Sequence, residues 1–105
     1  VGTAALEAVI MARCRQFHAR YGSHAITVAV QRGRARDVEL LVDGRQVGFI
    51  RERAGDVVML AGVIVDDPPQ FFHVRIEHLR QRSHGPICTA LFGRTEQAMV
   101  QRTTP

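Results

Sequence analysis

Five histidines, ten acidic residues and two cysteines are the side chains with most chemistry to offer. Their spacing decides what that chemistry is. His73 and His78, the closest histidine pair, stand five positions apart. That separation puts their rings on opposite faces of a strand, or about 140° apart on a helix, too far for a shared metal ion. His73 and Glu77 share a face in either conformation. With His78 beside them they form the candidate polar site, a base with an orienting carboxylate. The ordinary reading, an exposed charge pair, is favoured over the catalytic one. His78 and His84 flank a turn, with Asp66 and Asp67 in a neighbouring loop. No catalytic residue and no metal ligand set is assigned.

Cys14 and Cys88 stand far apart with no second pair near either, so neither a disulfide framework nor zinc spacing is present. Both read as buried, reduced thiols. The chain has no lysine, which excludes Schiff-base enzymes, P-loop nucleotide hydrolases and conventional kinases. It also lacks the glycine fingerprint of dinucleotide folds and the serine nucleophile elbow. No cofactor is predicted.

The formal net charge is +4. All 14 basic residues are arginine, and lysine and asparagine are missing together, a pattern that fits a GC-rich bacterial-type genome better than selection for phosphate contacts. Arg32, Arg34 and Arg36, alternating with Gly33 and Ala35, form the densest basic cluster. Arg80 and Arg82 extend it as a candidate nucleic-acid contact. Against that reading, one tyrosine and no tryptophan are available for base stacking.

The elements that must position these residues read as a single α+β domain spanning residues 1–105, because 105 residues build one modest core. Thr3 is an N-cap, and Leu6, Ile10, Cys14, Phe17 and Tyr21 follow at steps of three and four. Gly22 stands where a left-handed C-cap is wanted. The pattern predicts an amphipathic N-terminal helix over 3–21, packed on an antiparallel meander of five or six strands. Ile26, Val28 and Val30 alternate with polar neighbours in the first strand.

Asp43-Gly44 predicts a two-residue type I′ hairpin, which pairs Val42 with Arg45, Leu40 with Val47 and Val38 with Phe49. A second hairpin at Ala54-Gly55 pairs Ile50 with Met59. Residues 67–82 carry both a helical stripe and a strand-like alternation of Phe72, Val74 and Ile76, and the strand is preferred. Ile87–Phe92 is a further strand, and Thr95–Arg102 a short terminal helix.

The apolar run Val57–Val65 is far shorter than the roughly 20 residues that span a bilayer, and no leader pattern opens the chain. No membrane partner is predicted, and the expected location is cytoplasmic. That run is apolar on both faces, so Leu41, Ile50, Met59, Ala61 and Val63 make a second apolar sheet face in need of cover. The leading functional expectation is therefore a non-enzymatic binding or adaptor module that self-associates as a homodimer through that face. Nucleic-acid binding through the arginine loop is the alternative, and a small ligand or enzyme pocket between helix and sheet a further one.

Overall fold

Apolar and polar residues alternate with period two through most of the described chain, and the fold follows that alternation. The computed structural model describes residues 14–31, 33, 35–81 and 85–102. Among these residues nine strands run in order: β1 (Cys14–Tyr21), β2 (His24–Gln31), β3 (Arg36–Val42), β4 (Arg45–Glu52), β5 (Val58–Ile64), β6 (Gln70–Glu77), β7 (Ile87–Phe92), β8 (Thr95–Ala98) and β9 (Val100–Arg102). They form a five-stranded sheet in the order β4-β3-β2-β1-β9 and a four-stranded sheet in the order β5-β6-β7-β8, all pairings antiparallel.

This all-β architecture corrects the α+β expectation. Thr3–Arg13 of the predicted N-terminal helix lie outside the described residues, and Cys14–Tyr21 are strand β1. Phe17 and Tyr21 fit a helical stripe, but Phe17, Ala19 and Tyr21 also alternate with Gln16, His18 and Arg20, and pairing with β2 selects that second period. Gly22 does adopt a left-handed φ of 60°. It serves the two-residue loop between Tyr21 and His24, however, where a glycine in first position suits a type II′ hairpin as well as a helix cap. The predicted C-terminal helix is likewise β8 and β9. They form a strand that turns at Gly93-Arg94, pairs with β7, bends at Met99 and crosses to β1. The Met99 amide donates to the Cys88 carbonyl at 3.0 Å and secures the bend. Strands that switch sheets in this way form the corners of a sandwich.

The Asp43-Gly44 hairpin forms, with φ of 51° and 84° at its two turn residues and Val42 opposite Arg45. Its register then departs from the expectation. Leu41 pairs with Gln46 but Leu40 pairs with Gly48, so Val47 is an extra residue, a β-bulge. Beyond it the two faces of β4 exchange: Ile50 lies on the core side opposite Val38, and Phe49 points outward opposite Glu39. The predicted second hairpin at Ala54-Gly55 does not form. The chain instead leaves one sheet after Glu52 and enters the other at Val58. Residues 70–77 follow the strand reading of their segment.

The core lies between the sheets. Ile26, Val28, Val30, Val38 and Leu40 from one meet Ile64, Phe72, Val74, Ile76 and Cys88 from the other, each almost wholly buried. Burying a side chain of this size contributes about 1.5–3 kcal/mol. Gly62 sets the closest approach: a Cβ there would lie 2.6 Å from the Phe72 ring and 2.9 Å from a Leu40 methyl. Strand β5 packs down on the core because that Cβ is missing. No helix among the described residues is long and apolar enough to cross a membrane.

Candidate functional site

The outward face of the four-stranded sheet is built by the odd-numbered residues of β5, β6 and β7. Cross-strand pairing sets Met59 beside Arg75 and Thr89, Ala61 beside His73 and Leu91, and Val63 beside Phe71. Phe71 is 76% exposed, Met59 51%, and Val65, just past the end of β5, 86%. Phe72, next in sequence to Phe71, is 1% exposed. The pleat therefore sends one phenylalanine to the core and its neighbour to solvent. Charges on this face already answer one another: Arg75 Nε donates to Glu77 Oε1 at 2.6 Å, and its guanidinium lies 3.8 Å from Glu96.

At the end of β5 the face runs into a cleft of about 460 Å³ between the sheets, lined by Val42, Val47, Val63 and Val65 with His24, Asp43 and Arg45. His24 follows the β1–β2 turn and Asp43 opens the β3–β4 turn. His24 Nδ1 lies 2.7 Å from Asp43 Oδ2, and Nε2 lies 3.1 Å from both oxygens of Asp66. The other oxygen of Asp43 accepts from the Ala25 amide at 2.9 Å. An imidazole bonded to a carboxylate through each nitrogen is a double donor, which only the protonated ring can be. The Asp43 bond, with Asp66 adding, accordingly raises the His24 pKa, while the same bond and the Ala25 amide lower that of Asp43. With both nitrogens engaged, His24 offers no lone pair to a proton or a metal.

The residues singled out from the sequence fall in several places. His73 and Glu77 share the outward face, but Arg75 between them takes the Glu77 carboxylate. His78 leaves the strand with a φ of 59°, and its Nδ1 is buried without a hydrogen-bond partner among the described residues. Met59, Ala61 and Val63 share the outward face of the four-stranded sheet. Leu41 belongs to the outward face of the other sheet, and the bulge turns Ile50 toward the core.

Arg32, Arg34 and Arg82 lie outside the described residues. Arg36 donates to the carbonyls of Leu79 and Gly33, and Arg80 to that of Glu52. Burial pushes the Cys88 thiol up to about 12, and burial with the nearby Glu39 carboxylate raises that of Cys14. Neither is a ready nucleophile at neutral pH. Among the described residues, no group of three or more His, Cys, Asp or Glu side chains is arranged to hold a metal ion.

The His24, Asp43 and Asp66 cluster was not foreseen. Asp43 and Asp66 are 19 and 42 positions from His24, and only the topology brings the three turns to one end of the sandwich. Comparison with family models, with characterised proteins and with solved structures gives no match.

Proposed function

We propose that this domain is a non-enzymatic binding module that self-associates, pairing the outward face of its four-stranded sheet with the same face of a second copy. The observation that carries this reading is Phe71, a large ring three-quarters exposed beside Val63 on a face that also presents Met59 and Ala61. Apolar side chains grouped this way on two adjacent strands mark a docking surface more often than scattered ones do. A second copy suits the face because its charges are mixed and mutually paired: Arg75 sits with Glu77 and Glu96. Two such faces related by a twofold axis bring no block of like charge together, as a self-complementary interface requires. The raised thiols and the arginine-bound Glu77 carboxylate support the non-enzymatic part.

A cytoplasmic setting belongs to the same proposal, supported by the free thiols of Cys14 and Cys88. The proposal is tested by molar mass in solution at micromolar concentration. A dimer is expected, and a Phe71→Glu chain that keeps its fold is expected to be monomeric. A wild-type monomer throughout the concentration range, or a Phe71→Glu dimer, rejects it.

A further inference from the structure

The geometry points to a proton-operated latch in which the protonated His24 ties the turn carrying Asp43, on the five-stranded sheet, to the β5–β6 connection carrying Asp66, on the four-stranded sheet. Three observations carry it. The imidazole lies between two carboxylates that belong to different sheets. His24 and Asp43 line the cleft of about 460 Å³ that separates those sheets at this end. The opposite wall of that cleft is Val63 and Val65, immediately before Asp66. Holding Asp66 against His24 therefore holds that wall in place.

The two halves of the bridge are unequal. Asp43 is fixed independently of the imidazole: its carboxylate accepts from the Ala25 amide, and its own amide donates to the Ala25 carbonyl at 2.9 Å. The Asp66 carboxylate has only His24 among the described residues. A neutral imidazole keeps one N–H and turns a lone pair toward the other carboxylate. The remaining N–H stays on Nδ1 and donates to Asp43, and Asp66 is released, with the Val65 segment beside it.

Every charged group facing His24 bears on the equilibrium. Asp43 and Asp66 favour the imidazolium. Arg45 on the hairpin lines the same cleft, and Arg20 near the end of β1 lowers the Asp43 pKa. Asp67 follows Asp66 in the chain, and Tyr21 pairs with His24 across the β1–β2 turn. Because the folded pKa of His24 is raised, the latch is fully closed below the ordinary imidazole value of about 6.5 and opens as pH climbs through the higher folded value. Because that of Asp43 is lowered, its carboxylate stays ionised and the Asp43 half of the bridge holds through the ordinary carboxylate range.

The test is a pH titration of the whole chain, uniformly labelled with nitrogen-15, reading the ring nitrogens of His24 and the amides of Val63, Val65 and Asp66. The expected result is a His24 midpoint above about 6.5, both ring nitrogens protonated below it, and the Val65 and Asp66 amides shifting with that same midpoint. Asp66→Asn should lower the His24 midpoint and abolish the Val65 shift. His24→Gln should abolish the Val65 shift while the remaining amides stay dispersed. A His24 midpoint at or below about 6.5, a silent Val65 amide, or an Asp66→Asn chain that titrates as the wild type overturns the latch. Self-association plays no part in this inference, and a monomeric chain tests it equally well.

Discussion

The two sheets present different outward faces. On the five-stranded sheet, polar groups pair across neighbouring strands: Arg51 grips Asp37 through two bonds of 2.8 and 3.2 Å, and His18 meets Thr27 at 3.1 Å. Its exposed large apolar residues are scattered, with Phe49 on β4 and Val100 on β9 at opposite edges of the sheet. On the four-stranded sheet, Met59, Ala61, Val63 and Phe71 adjoin on β5 and β6, and their charged neighbours are satisfied within the same face. Both sheets bury equally apolar inner faces. The outward faces thus differ through their own residues and not through the core beneath them, so the surface built for water and the surface suited to a partner are separable by substitution.

The widest separation is expected within one dipeptide. Phe72→Ala removes a ring packed between the sheets and should cost about 3–5 kcal/mol of stability by chemical denaturation. Phe71→Ala, on the opposite side of the same strand, should stay within about 0.5 kcal/mol while weakening self-association. Comparable losses for both would erase the distinction between the faces of β6.

Next in size is the bulge at Val47. Ile50→Ala should destabilise by roughly 2 kcal/mol, toward the lower end for a core aliphatic because Ile50 is only partly buried. Phe49→Ala should cost clearly less. The unbulged register places Phe49 inward and predicts the reverse order, so urea midpoints of the two variants decide between the registers.

The smallest effect concerns pH. Since the His24 pKa is raised by folding, its contribution to stability is complete below about 6.5 and declines as pH rises through the folded value. The thermal midpoint of the wild type should therefore fall more between pH 6 and pH 9 than that of Asp66→Asn; parallel curves would contradict the assignment.

What was legible in the sequence was local. Asp43-Gly44 announced its hairpin because both turn positions need positive φ, and the alternation of Phe72, Val74 and Ile76 outweighed the helical stripe in the same segment. Two kinds of signal misled. Gly22 has the left-handed conformation expected of it, but a helix cap and a hairpin turn ask the same of a glycine, and Cys14, Phe17 and Tyr21 satisfy a period of 3.6 while Phe17, Ala19 and Tyr21 satisfy a period of two. Only the partner strand resolves such a segment. The inserted Val47 left no mark in the pattern, since Val47, Phe49 and Ile50 are all apolar, and one extra residue exchanged the faces assigned to Phe49 and Ile50. Met59, Ala61 and Val63 share a face as expected because period two within one strand needs no knowledge of its neighbours. The joining of His24 to Asp43 and Asp66 depends on where three turns meet, and nothing in their spacing records that.

Sedimentation equilibrium of the wild type and of Phe71→Glu, at matched micromolar concentrations and with folding verified by circular dichroism, tests the docking face most directly. A wild-type mass twice the 11.7 kDa of one chain and a single-chain mass for the variant are expected. A wild type that stays at the single-chain mass, or a folded variant that still doubles it, would contradict the assignment of this face.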